Sequence, residues 1–332
     1  MVARGLTDRN DQLLRASATA VAGFSAAVVF LIGIFLFIYA YPAIIFNGSA
    51  FLTSLIWNVG NQYGSGVEMR HGFVGSPGAS FGALVFVYGT LATSALAMAV
   101  ATPLAFLAAI AMRYRVPAQL RPLVNTLVEL MAGVPSVVYG LWGIIVLVPW
   151  IGGVFGPFVT THFAYVPFLG GSAGSGNGLF AASLVLAIMV FPIMAATMRD
   201  VIASTPADIF EASIALGSTT WEAVVRVVAP AARKGLFAAV VLALGRALGE
   251  TMGVLMVGGG GINQLPGNVF GPVSTMAATI VSQLDSALTD SSGMAERALG
   301  EIALLLFIIT LLVNVIGRAI MGGSDRRGRT AS

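Results

Sequence analysis

The sequence contains no cysteine and carries little charge. Without cysteine among its 332 residues, it can form no disulfide framework, no thiolate nucleophile and no sulfur-based metal site. Only 9% of the residues are charged, against about 25% in a typical soluble domain, and so little charge cannot cover a water-facing surface. Together with a hydrophobic content of 57% and a mean hydropathy of +0.91, this predicts an all-α integral membrane protein.

Nucleotide-binding patterns are also missing. The only lysine, Lys234, does not belong to a G-x-x-x-x-G-K-[ST] loop, and the glycines at 258–261 do not continue into G-x-G-x-x-G spacing. Two histidines are too few for a metal cluster. We therefore expect no cofactor, no metal and no enzymatic activity in this chain, so that any ATP is bound by another chain.

Six apolar runs are long enough to cross a bilayer, since a spanning helix needs about 20 mostly apolar residues. Prolines 103 and 135 lie inside the second and third runs and predict kinks there. The six predicted spans are approximately 18–41, 81–112, 123–151, 179–198, 236–257 and 302–321.

The distribution of Lys and Arg predicts the orientation of these spans. Fourteen of the 17 basic residues lie in one alternate set of connecting segments, two in the other set, and Arg246 lies inside a span. The positive-inside rule then places both termini in the cytoplasm. The excess of basic over acidic residues therefore indicates the orientation of the protein in the membrane and does not support nucleic-acid binding.

This topology predicts a cytoplasmic segment 1–17, a transmembrane domain 18–321 and a cytoplasmic tail 322–332. External loops are expected at 42–80, 152–178 and 258–300, and the longest cytoplasmic connection at 199–235. The apolar stretch 276–288 is too short to span and predicts an external or re-entrant helix.

The cytoplasmic connection is predicted to form two short helices. Thr205 is a candidate N-cap, followed by Pro206 at the first helical position, and Gly217 is a candidate left-handed C-cap. Thr219 and Glu222 have the spacing of a capping box. The second helix is expected to end before a proline at 230.

Helical spacing places Phe210, Ile214 and Gly217 on one face of this pair, which offers apolar surface to a partner. A solvated connector is the other interpretation. A DNA-binding helix-turn-helix is not supported, because four acids balance four basic residues within this segment.

The same segment resembles a known family. Residues 211–217 read EASIALG and, nine residues later, 227–230 read VVAP, which is similar to the E-A-A, x3, G, x9, I-x-L-P loop of binding-protein-dependent ABC importer permeases. In that family the loop docks into a groove of a cytoplasmic ATPase. The resemblance implies that Glu211, Ala212, Gly217 and Pro230 form the ATPase-coupling region.

Two further runs resemble the phosphate-specific members of this family. Residues 132–143 read AGVPSVVYGLWG, and residues 245–252 read GRALGETM, which is similar to the C-type permease subunit of phosphate importers. The resemblance implies a homologous A-type permease, two ATPase subunits that bind ATP, and an external phosphate-binding protein as partners. It also implies a multi-pass location in the bacterial inner membrane.

Arg246 and Glu250 lie four residues apart in the fifth predicted span, which places them on one helical face. An arginine within a span is expected to face a polar interior, so the two residues either form a packing salt bridge or line an anion pathway. Pro135 and Ser136 are further pathway candidates, because a broken helix would expose backbone groups there. A purely structural kink is the alternative.

The sequence thus predicts a six-span permease subunit of an ATP-driven phosphate importer. Three alternatives remain at this stage. They are a permease for another oxyanion such as sulfate, an anion carrier or channel that works without ATP, and a structural membrane scaffold.

Overall fold

The computed structural model describes residues 2–61 and 66–328, with side chains for 14–61 and 66–320. Most of the described chain is helical. The main helices are α1 (Val2–Asn47), α2 (Leu84–Arg115), α3 (Arg121–Ala132), α4 (Ser136–His162) and α5 (Leu179–Ala203), then α6 (Ala207–Ala215), α7 (Thr220–Ala231), α8 (Arg233–Leu248), α9 (Met252–Val257), α10 (Met276–Leu288) and α11 (Met294–Gly328).

Five of the described helices, namely α1, α2, α4, α5 and α11, are long and apolar enough to cross a membrane. A sixth crossing is reached when α7 and α8, which meet at an angle of 78°, are counted together. The predicted all-α fold is therefore confirmed, and the predicted six crossings are reached when the bent pair counts as one span.

The bounds of the helices differ from those of the predicted spans. The first helix begins at Val2 and the last continues to Gly328, so the described parts of 1–17 and 322–332 are helical extensions of spans. Residue 329, one of the basic residues used for orientation, lies outside the described residues. The third predicted span, 123–151, is two helices, and the second of them, α4, continues to His162.

The larger hydrophobic core surrounds α5, which packs along α2, α3, α8 and α9. In the most apolar stretch of α5, 67% of the residues are buried. Helix α1 instead packs mainly on α11, and none of the residues in its most apolar stretch is buried. One side of α1 is therefore left for lipid or for another subunit.

A second core lies under the first external loop. Four short strands, β1 (Trp57–Asn58), β2 (Glu68–Arg70), β3 (Phe73–Gly75) and β4 (Ser80–Phe81), pair as β1–β4 and β2–β3, both antiparallel. The Trp57 ring contacts Phe81 and Phe86 edge-on, with ring centroids 5.1 and 5.6 Å apart. The loop predicted from its Gly and Ser content therefore has a packed structure.

The last external segment is tied to the same region. The Ser76 hydroxyl donates to buried Asp290 at 2.7 Å, and the Met276 N–H donates to the Thr90 hydroxyl at 2.9 Å. Helix α10 matches the predicted short helix at 276–288. These contacts fasten the two long loops to each other and to α2.

Candidate functional site: two broken helices and a cytoplasmic helix pair

The first helix break lies between α3 and α4. Helix α3 ends at Ala132, and Pro135 adopts an extended ψ of 140° immediately before α4 begins at Ser136. Proline has no N–H to continue the helix, and it disfavours helical geometry in the residue before it. The break expected at Pro135 is confirmed, with the Pro135 ring exposed and Ser136 half-buried.

The second break lies between α8 and α9 and was not expected from the sequence. Helix α8 ends at Leu248, and the Glu250 carboxylate accepts hydrogen bonds from the N–H groups of Thr251 at 3.1 Å and Gly253 at 3.4 Å. These groups are at the start of α9. The side chain of Glu250 therefore caps a new helix instead of continuing the old one.

This break corrects the prediction that Arg246 and Glu250 share one helical face. Arg246 is in the last turn of α8, whereas Glu250 lies beyond the end of that helix. Among the described residues, no ion pair or hydrogen bond engages the guanidinium of Arg246, and its side chain is exposed. Its donors are therefore available to a ligand or to another chain.

The two breaks lie side by side because glycines allow α4 and α9 to pack closely. A Cβ atom on Gly140 would come within 3.3 Å of the Gly253 Cα, and a Cβ on Gly253 would lie 3.6 Å from the Ser136 carbonyl oxygen. The structure thus brings Ser136 next to the turn that holds Glu250, with Arg246 in the preceding turn. An exposed guanidinium in the last turn before a helix break is suited to binding an anion.

The cytoplasmic helix pair follows the predicted pattern in part. Gly217 has φ = +90°, as expected for a left-handed C-cap, and both hydrogen bonds of the Thr219–Glu222 capping box are present. The N-cap of α6 is Pro206, however, and not Thr205. The hydroxyl of Thr205 donates instead to the Val201 carbonyl, which explains why it does not cap α6.

The second helix of the pair does not end before Pro230, contrary to the prediction. Residues Val224–Val228 form a π-helical turn, in which the Ala229 N–H donates to the Val224 carbonyl. This wider turn accommodates the proline ring, and the helix continues to Ala231.

Two of the three residues of the predicted face, Ile214 and Gly217, are exposed, whereas Phe210 packs against the rest of the protein. Phe210 stacks on Tyr114 with ring centroids 4.7 Å apart, so it anchors α6 to the end of α2. Glu211, Ala212, Gly217 and the 88% exposed Leu216 remain on the surface. The candidate coupling residues are therefore accessible to a partner, without Phe210.

Sequence reasoning missed an ion-pair cluster between the last turn of α3 and the C-terminal end of α5. The guanidinium of Arg199 lies 3.3 Å from Glu129 and 2.9 Å from Asp200, and its side chain is only 14% exposed. Arg199 and Glu129 are 70 residues apart in the sequence, so no local spacing could have indicated the contact between them.

The similarity of this sequence to known proteins agrees with this geometry. The family described as "Binding-protein-dependent transport system inner membrane component" matches residues 101–330. Phosphate transport system permease protein PstC 1 of Mycobacterium tuberculosis (strain ATCC 25618 / H37Rv) is 45% identical over 295 residues, which cover 88% of this chain and 86% of that protein. PstC of Mesorhizobium japonicum is 36% identical, with coverage of 96% and 91%.

Solved structures support the fold. An inward-facing structure of the methionine ABC transporter MetNI aligns with a TM-score of 0.50 at 19% identity, and the alignment covers 71% of this chain and 93% of that chain. The chain therefore belongs to the family of binding-protein-dependent transport system inner membrane components, as a multi-pass membrane permease of the PstC type.

Proposed function

We propose that this chain is a transmembrane permease subunit of an ATP-driven importer of inorganic phosphate. The observation that carries this proposal is the 45% identity, over 88% of the chain, to a protein named as a phosphate transport permease. The exposed Arg246, in the last turn before the helix break that holds Glu250, supports it, because guanidinium groups bind phosphate oxygens in a planar, two-donor geometry.

Phosphate and sulfate differ in a way that Glu250 can exploit. One carboxylate oxygen of Glu250 accepts the N–H groups of α9, which leaves the other oxygen for a ligand. A protonated phosphate can donate a hydrogen bond to it, whereas fully ionised sulfate cannot. Arg246 would thus supply the attraction for an anion, and Glu250 would favour phosphate over sulfate.

The exposed α6 surface supports coupling to a separate ATPase. Glu211, Ala212 and Gly217 lie on the surface, while the stacking of Phe210 on Tyr114 connects α6 to a spanning helix. A movement imposed on α6 would therefore be transmitted to α2. In the proposed assembly, two ATPase subunits hydrolyse ATP, a homologous A-type permease completes the pathway, and an external binding protein delivers phosphate.

Reconstitution tests this function directly. The complete complex, placed in liposomes with its binding protein outside, should accumulate labelled phosphate only when hydrolysable ATP is enclosed. Equal uptake with a non-hydrolysable ATP analogue would favour the ATP-independent carrier. Equal uptake of labelled sulfate would favour the broader oxyanion permease.

A further inference from the structure

A cavity lies on the cytoplasmic side where the end of α2, the start of α3 and the helices α6 and α7 meet. Its volume is about 290 Å³, and Arg113 and Arg121 line it together with the hydroxyl-bearing Thr205 and Thr220 and one acid, Glu211. The cavity lining thus carries two positive charges and one negative charge. It is separate from the helix breaks that hold Arg246.

The two arginines are incompletely partnered. The Nε of Arg113 is buried without a hydrogen-bond partner in the described part of the chain. The Nε of Arg121 donates to the Val116 carbonyl at 3.0 Å, but no ion pair with a carboxylate engages either guanidinium among the described residues. An unsatisfied buried donor costs about 1–3 kcal/mol, and more when it is charged, so a ligand oxygen that accepts a hydrogen bond from the Arg113 Nε would be stabilising.

The remaining walls fit a small, multiply hydrogen-bonded anion. No hydrogen bond to the Thr220 hydroxyl is present among the described residues, so it can donate to a ligand. The Tyr114 and Phe210 rings, stacked with centroids 4.7 Å apart, border the cavity. Two guanidinium groups with a nearby hydroxyl are a donor set that suits the oxygens of a tetrahedral phosphate.

We propose that this cavity binds a phosphate group that bridges the cytoplasmic ends of α2 and α3 to the coupling helix α6. Two sources share this chemistry. Inorganic phosphate would reach the cavity as the imported product, an identification that rests on the proposed function. A phospholipid headgroup could also reach it, because Arg113 is in the last turn of a candidate span.

The site is tested with the complete complex purified in a phosphate-free maltoside detergent. All variants carry Arg246→Gln, which removes the main donor of the proposed pathway site, and binding of labelled inorganic phosphate is measured by equilibrium dialysis. Arg113→Gln is compared with Arg115→Gln, a matched control that is exposed, lies two residues away and does not line the cavity. A parallel arm replaces inorganic phosphate with labelled phosphatidylglycerol.

We expect phosphate affinity to fall about tenfold or more in Arg113→Gln, because a hydrogen bond to a charged group contributes about 1.5–3 kcal/mol. Arg115→Gln should bind like its parent. If Arg113→Gln weakens the binding of phosphatidylglycerol but not of inorganic phosphate, and Arg115→Gln weakens neither, the site is supported with a lipid as its ligand. Should Arg113→Gln not fold, Arg121→Gln takes its place.

If neither ligand depends on Arg113 or Arg121, the proposal is overturned. This outcome is distinguishable from a failure of the proposed function. The latter would appear as normal phosphate transport without ATP, or as no phosphate transport by the unmodified complex.

Discussion

At the scale of single residues, Arg246 is the position where charge matters most for the proposed pathway. Arg246→Gln keeps much of the side-chain length but leaves the anion without a cationic partner, so phosphate uptake should fall to background. Arg318→Gln is a suitable control, because it removes an exposed arginine near the end of another span. Wild-type uptake in Arg246→Gln would show that this residue is not part of the pathway.

Glu250 has two roles that different substitutions separate. Glu250→Gln retains an oxygen that can accept the Thr251 and Gly253 N–H groups but removes the negative charge, whereas Glu250→Ala removes both. We expect Glu250→Gln to reduce phosphate uptake strongly while the complex remains folded, and Glu250→Ala also to lower its melting temperature. Equal uptake by Glu250→Gln and wild type would limit Glu250 to helix capping.

Asp290 is a buried carboxylate that fastens the two long external loops together. Burial by itself raises the pKa of Asp290, but hydrogen bonds from the Ala295 N–H and from the hydroxyls of Ser76 and Ser292 outweigh it, so the pKa lies below its ordinary value. A lowered pKa stabilises the folded state above the unfolded value of about 3.9. That contribution is lost as the pH falls through the folded-state pKa.

Asp290→Asn should therefore destabilise the protein at pH 7 by about 1–3 kcal/mol, the cost of disturbing a buried hydrogen-bonded group. Thermal unfolding at several pH values measures this effect. The difference from wild type should shrink as the pH falls below about 4. Asp285→Asn, on the exposed face of α10, should show no such difference; an equal loss in both variants would contradict the assignment.

At the scale of elements, the sequence predicted the number and type of helices better than their interruptions. The break at Pro135 has a local cause that is visible in the sequence, because proline cannot donate the next helical hydrogen bond. The break at Gly249–Thr251 is stabilised by the Glu250 carboxylate and by close packing against α4. The Glu250 cap is a local contact, but the packing against α4 joins distant segments, and hydrophobic periodicity alone predicted one continuous span there.

In the cytoplasmic helix pair, too, some features could be predicted from the sequence and others could not. Gly217 and the Thr219–Glu222 box were predictable because caps depend on neighbouring residues. The helix extends through Pro230 only because a π-turn precedes it, and no pattern in the sequence indicated that turn. The paired breaks and the two-arginine cavity join distant segments, so their geometry could not be predicted from spacing.

Gly217 tests the coupling role of this pair. A Cβ atom there would meet no other atom within 4 Å, so substitution acts only through the backbone, whose φ of +90° disfavours β-branched residues. Gly217→Val should cost about 1–3 kcal/mol of local strain, leave membrane insertion intact and lower both ATPase association and phosphate uptake. Co-purification of the ATPase and uptake in liposomes measure these effects.

Gly217→Asn is the matched control, since asparagine tolerates left-handed geometry better than other residues with a side chain. It should retain most of the activity. If Gly217→Val couples as well as Gly217→Asn, the angle between α6 and α7 does not control coupling.

At the scale of the whole molecule, the described chain lacks the contacts of a self-contained bundle. No residue in the most apolar stretch of helix α1 is buried, and Arg246 has no polar partner in the described chain. Both features are expected of a subunit that is completed by lipid and by a second permease. They explain why the proposed pathway lies on a surface of this chain and not in an enclosed channel.

The orientation of this molecule can be tested because the chain contains no cysteine. Tyr165, in the connection after α4, is 79% exposed, and Leu216, at the end of α6, is 88% exposed, so a cysteine at either site would be reactive without disturbing the core. The positive-inside rule predicts that Tyr165→Cys reacts with an impermeant maleimide in intact cells, whereas Leu216→Cys reacts only after permeabilisation. The cysteine-free parent provides the background. The reverse labelling pattern would place α6 outside, where no cytoplasmic ATPase could reach it, and would invalidate both the topology and the proposed coupling.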